Sequence, residues 1–138
     1  MIWAVIDTNI LIRAFIKPQG TVGPILQRVR DGSFVLIYSG ALLDELLATL
    51  VLPSIRDKYR ICDEAIEALV ALLVLRGEIV APHRRIRICR DAGDDMVIEA
   101  ALAGNASHVV TGDKDLLVVG QYEGVSFVEP RAFLELIA

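Results

Sequence analysis

The 138-residue sequence predicts an α/β fold: a three-layer α/β/α sandwich around a central, mostly parallel sheet of about five strands. Two observations carry this prediction. Short β-type apolar runs alternate with segments of helical pattern, as in βαβ units. The hydrophobic fraction is also high, 54% with a mean hydropathy of +0.54. Such a surplus implies a sheet buried on both faces, or apolar surface that closes on a partner. A chain of this length divides into no smaller pieces with cores of their own, so residues 1–138 are expected to form one domain.

The elements follow in order. Ile2–Ile6 is an apolar run that stops at Asp7, the first strand. Helical segments cover about Thr8–Phe15 and Val22–Arg30, separated by Lys17-Pro18-Gln19-Gly20. Asp31-Gly32 is a turn, and Phe34–Tyr38 reads as the second strand. Ser39 stands where an N-cap is needed for a helix over Ala41–Leu52, which Pro53 ends or bends. A short helical piece crosses Ser54–Tyr59. Asp63 is then expected to cap a helix through Leu75, with Gly77 as its stop. Glu78–Ala81 is the third strand. The basic stretch His83–Arg90 leads into Asp-Ala-Gly-Asp-Asp, and a helix is expected from about Asp95 to Gly104. Ser107–Val110 and Val125–Val128 are the fourth and fifth strands, and Pro130 opens a closing helix.

Charge and composition narrow the function. The net charge is −4 and the pI about 5.1, so the bulk field does not attract nucleic acid. A nucleic-acid substrate would need local basic patches, or metal ions that cancel the acidity of a site. No apolar stretch runs uncharged for the roughly 18 residues of a membrane span. The opening Met-Ile-Trp-Ala-Val-Ile-Asp has no basic region and meets an acid at once, unlike a secretory signal. Cys62 and Cys89 have neither metal-ligand spacing nor a disulfide framework and read as reduced thiols of a cytoplasmic protein.

The acids are more informative. In an open parallel sheet, ligands bind beyond the carboxyl ends of the strands. Asp7 directly follows the first strand, and Asp113 follows the fourth after only Thr111-Gly112. Taken alone, Asp7 is equally a helix N-cap and Asp113 a turn residue. In the helix after the second strand, Asp44 and Glu45 flank an apolar stripe on opposite sides, and helical geometry does not choose between them. Asp94 leads Val97, Ile98 and Ala101 by three, four and seven residues, at the amino end of a buried face. Asp95 is turned further round, and Asp91 lies one loop step earlier. Carboxylates gathered on one sheet edge repel each other and raise their own pKa values, and divalent cations remove that penalty. A hard-oxygen donor set suits Mg²⁺ or Mn²⁺, and no His/Cys set suits zinc. The matching chemistry is metal-assisted phosphodiester hydrolysis. A haloacid-dehalogenase-type phosphatase would need a second Asp two residues after the first, where Asn9 stands.

Val5-Ile6-Asp7-Thr8-Asn9 resembles the opening motif of PIN domains, the ribonuclease fold of many VapC-like toxins. Ser39, with Glu45 six residues later in Leu-Leu-Asp-Glu-Leu-Leu, is similar to the second motif and selects Glu45 over Asp44. Asp91-Ala-Gly-Asp94-Asp95 and the apolar helix behind it look like the third motif, with Ala92 where proline is frequent. Val110-Thr111-Gly112-Asp113-Lys114-Asp115-Leu116-Leu117 is similar to the fourth and matches most closely. The resemblance implies a metal site of Asp7, Glu45, Asp94 and Asp113, with Glu45 acting directly, through water, or by orienting the nucleophile. It also implies endonucleolytic cutting of single-stranded RNA, a homodimer, and inhibition by a cognate antitoxin protein. Asn9, Ser39 and Thr111 are supporting residues that position water or phosphate, or else cap helices and close turns. Asp95 and Asp115 are candidates for the outer part of the metal site, with solvated surface acids as the alternative.

Arg84, Arg85 and Arg87 belong to the one dense basic run. They are expected either to hold RNA phosphates near the acids or to guard a solvated edge strand. The helix over Ala65–Leu75 is apolar on more than one side, which predicts either a deep core or a subunit or antitoxin contact.

Overall fold

The computed structural model describes residues 1–138. Strands β1 (Trp3–Ile6), β2 (Val35–Ser39), β3 (Gly77–Val80), β4 (His108–Val110), β5 (Gln121–Tyr122) and β6 (Val125–Val128) form one six-stranded sheet in the order β3-β2-β1-β4-β6-β5. Every pair is parallel except β5–β6. Helices α1 (Thr8–Ile16), α2 (Gly23–Asp31), α3 (Gly40–Leu50), α4 (Pro53–Arg56), α5 (Asp63–Arg76), α6 (Ala92–Ala103), α7 (Lys114–Val119) and α8 (Pro130–Leu136) connect and follow the strands.

Side chains alternate across each strand, so each strand serves two cores. Ala4, Ile6, Leu36, Tyr38 and Val110 face one apolar cluster shared with α1, α2, α5 and α8, in which Phe133 meets Phe34 edge-on at 4.9 Å. Val5, Ile37 and Val109 face the other, beneath α6 and α7. Both faces are therefore covered, as the hydropathy requires. The helix α6 lies close: a Cβ on Gly104 would come within 2.6 Å of Ile37 Cγ2, so only glycine lets the helix end approach β2.

The sheet has six strands rather than about five. The extra strand β5 is two residues long, and the hairpin to β6 turns through Glu123 (φ 46°) and Gly124 (φ 86°). This two-residue turn needs positive φ at both positions, where Asn-Gly or Asp-Gly is the usual sequence flag. Helix α7 is short, ends at Gly120 (φ 76°), and is equally unflagged. Three other expectations are corrected. Helix α5 is N-capped by Cys62, and Asp63 pairs instead with Arg56. Helix α6 starts at Ala92, which puts Asp94 and Asp95 in its first turn. Residues 81–91 form an irregular loop, against the edge-strand alternative: the N–H groups of Ile86, Ile88 and Cys89 donate to side chains of α6 rather than to a neighbouring strand. Helix α5 buries Leu69 and Leu73 but leaves Val74 and Leu75 at 63% and 80% exposure, so it is not a wholly buried core helix. No helix is long and apolar enough to cross a membrane.

Candidate functional site

Parallel strands end on the same sheet edge, and the register places the acids there. Ile6 pairs with Val110 across β1 and β4, so Asp7 and Thr111 are the next residues out on adjacent strands. The Asp7 N–H donates to the Val110 carbonyl at 2.9 Å, extending the ladder one step. Asp7 then N-caps α1, its Oδ1 accepting from the Asn9 N–H at 3.2 Å.

Thr111 ties two of the acids together. Its hydroxyl, fully buried, donates to Asp7 Oδ2 at 3.1 Å and accepts from the Asp113 N–H at 3.0 Å. Asp113 N-caps α7, with Oδ1 accepting from the Asp115 N–H at 2.9 Å. On the other side, Asp91 N-caps α6, accepting from the Gly93 N–H at 2.8 Å. Glu45, on the first turns of α3, is held by Thr8, whose Oγ1 donates to Glu45 Oε1 at 3.1 Å. A Cβ placed on Gly93 would stand 3.8 Å from Glu45 Oε2 and 3.3 Å from Asp91 Oδ1, so Glu45 reaches the amino end of α6.

The electrostatics register the crowding. Burial pushes the Asp94 carboxyl up to about 7, aided by its hydrogen bond to Asp113 and by the charges of Asp113, Asp7 and Asp91. Asp113 is held below its ordinary value, first by that same hydrogen bond and then by the Asp115 N–H. Of the two, Asp94 holds a proton more tightly than Asp113. Asp7 is raised as well, by burial against the relief of its two hydrogen bonds, with Asp113 and Asp91 adding repulsion. Without a counter-cation, these acids are held together at an electrostatic cost.

Asp7, Asp94 and Asp113 meet on this edge with Asp91, and Glu45 approaches from α3. No three His, Cys, Asp or Glu side chains stand in an arrangement that already encloses an ion. The donor chemistry nonetheless fits a hard divalent cation: every group is a carboxylate, and their mutual repulsion is what such an ion relieves.

Other expected residues sit elsewhere. Ser39 is buried and N-caps α3, its Oγ accepting from the Leu42 N–H at 3.2 Å. Asn9 and Asp115 are exposed and reach the site through their backbone N–H groups. Asp95 is neither a surface acid nor part of the cluster. It is 6% exposed, and its Oδ1 accepts from the N–H groups of Ile88 (3.2 Å) and Cys89 (2.9 Å). Arg84 is engaged in a bidentate pair with Glu123, both contacts at 2.9 Å, while Arg85 and Arg87 are exposed with no ionic partner. Sequence reasoning missed Thr8 as the partner of Glu45 and Asp91 as a charged neighbour of the cluster. Each lies one to three residues from an acid it did identify, which was the available signal.

Comparison with known proteins agrees with the geometry. The uncharacterized protein MJ1680 of Methanocaldococcus jannaschii is similar over 113 residues at 33% identity, covering 82% of this chain and 72% of the relative. A family model described as "PIN domain" matches residues 4–115, a span running from β1 to the start of α7 that holds all of these acids. The chain belongs to the PIN domain family, whose members are in general nucleases.

Proposed function

We propose that the chain is an endoribonuclease dependent on Mg²⁺ or Mn²⁺ that hydrolyses phosphodiester bonds of single-stranded RNA. The observation that carries this reading is the set of carboxylates crowded on the sheet edge, with Asp94 raised to about 7 and Asp7 raised beside it. Asp7, Asp94 and Asp113 are the residues that would hold the ion. When bound, it would supply activation of water and stabilisation of the leaving oxygen. Thr111 orients Asp7 and the loop before Asp113 through the two hydrogen bonds of its hydroxyl. Glu45, with Oε1 fixed by Thr8, keeps Oε2 to orient the attacking water and take its proton. Water adds across the P–O bond, leaving a phosphate monoester on one fragment and a hydroxyl on the other.

A toxin role, with a homodimer and an antitoxin protein as partner, extends the same reading. Its support is the resemblance of the four motifs to VapC-like toxins and the apolar surface at Val74, Leu75 and Ile79. A short open reading frame immediately upstream is expected on this reading.

One observation favours a second reading, a PIN-fold binding module without turnover: no three acids enclose an ion as they stand. Incubation with Mn²⁺ and a single-stranded RNA library separates the two. Cleavage by the parent and none by Asp7→Asn supports the nuclease. No cleavage by either, together with tight binding of a protein partner, supports the module.

A further inference from the structure

The loop over residues 81–91 has no regular structure, yet it is fixed at several points. Glu99 accepts from the Ile86 N–H at 2.8 Å, Asp95 accepts from those of Ile88 and Cys89, and Arg84 clamps the loop to Glu123 of the β5–β6 turn. Ile86 is buried, 6% exposed, and anchors the loop in the core beneath α6. Its neighbours Arg85 and Arg87 are therefore held on the outside, roughly 7 Å apart if the backbone between them is extended. They and Arg90 line an open groove of about 440 Å³ beside the first turns of α6, reaching Ala92. All three guanidinium groups are exposed and without ionic partners. The acids that share this groove, Asp95 and Glu99, are directed to the loop backbone. The loop ends at Asp91, whose charge acts on both Asp7 and Asp94.

We propose that Arg85, Arg87 and Arg90 form a preorganised phosphate track that leads the backbone of single-stranded RNA to the acidic edge. Arg84 is excluded from it by its pairing with Glu123. The choice of RNA as the polymer rests on the nuclease reading above. The track itself rests on the geometry of the loop. It also meets the difficulty posed by a net charge of −4, because fixed local guanidinium groups supply the attraction that the bulk field does not.

The test is equilibrium binding of a fluorescent oligouridylate to the Asp94→Asn protein without divalent metal, across a salt series, so that cleavage plays no part. Adding Arg85→Gln, Arg87→Gln and Arg90→Gln together should weaken binding on the order of tenfold and flatten the salt slope by about 0.7 per lost contact. Adding Arg84→Gln alone should leave that slope unchanged, and melting curves of each variant confirm folding. Single substitutions that each flatten the slope by one contact support the track should the triple variant misfold. An unchanged slope in the triple variant, or a flattening of the slope on Arg84→Gln equal to that of the other single substitutions, overturns it. Failure of the nuclease reading looks different: RNA binding along the track persists, while the parent protein cleaves nothing with Mn²⁺.

Discussion

Thr111 makes the site's smallest complete circuit, since one hydroxyl supplies a donor to Asp7 and an acceptor to Asp113. Thr111→Val keeps the shape and removes both bonds. The Asp113 N–H then lacks its partner, at a cost of about 1–3 kcal/mol. Asp7 also loses a bond that lowers its pKa, so its carboxyl rises further. The expected result is a pH–rate profile for Mn²⁺-dependent cleavage displaced to higher pH, with Thr111→Ser restoring it. An undisplaced profile would detach Thr111 from the chemistry. At this scale Asp7, Asp94 and Asp113 were legible because each follows a strand or opens a helix, whereas Glu45 was singled out from Asp44 only by resemblance of motif. The sequence did not show which oxygen serves what. Asp94 and Asp95 are adjacent and chemically identical, and only the 100° step of the helix sends one to the cluster and the other under the loop. The same limit hid Arg84's pairing, since Glu123 lies 39 residues away on a turn that carries no flag.

Among the elements, the 81–91 loop depends most on single side chains. Asp95→Ala leaves the Ile88 and Cys89 amides without their acceptor. We expect a loss of about 2 kcal/mol or more in urea unfolding and faster hydrogen exchange at those two amides. Exchange as slow as in the parent would show that Ile86, Glu99 and the Arg84–Glu123 pair hold the loop without Asp95. Strands and long helices were legible here because burial on a repeating face leaves a periodic imprint. For the basic run the sequence left an edge strand open beside phosphate contact, because hydrogen bonds from a loop to carboxylates of α6 leave no period to detect. Helix α7 and strand β5 escaped for a related reason: six and two residues are too few to show one.

For the molecule as a whole, the acids impose a pH dependence whose sign is set by their raised values. Asp7 and Asp94 bind protons more tightly folded than unfolded, so their contribution favours the fold at acidic pH and is lost as pH rises, for Asp94 through about 7. Asp113, lowered, acts in the opposite sense but only at more acidic pH. Half-buried His108, its pKa lowered by burial, favours the fold as pH rises over part of the same range, so the acids show in the difference from Asp94→Asn. The stability of the metal-free parent relative to that variant should fall between about pH 4 and pH 7. Saturating Mn²⁺ should oppose that fall by binding the folded state. A metal-free parent that gains stability relative to Asp94→Asn over this range would contradict the crowding of the acids. The order β3-β2-β1-β4-β6-β5 has one more outcome, in time rather than space. Of the six strands the earliest in chain order lies inside the sheet, and its neighbour β4 is synthesised roughly a hundred residues later. Asp7 waits for Asp113 throughout that interval. A chain not yet extended well past residue 113 therefore holds no assembled acidic edge, since Asp7 lacks its neighbours from β4 and α7.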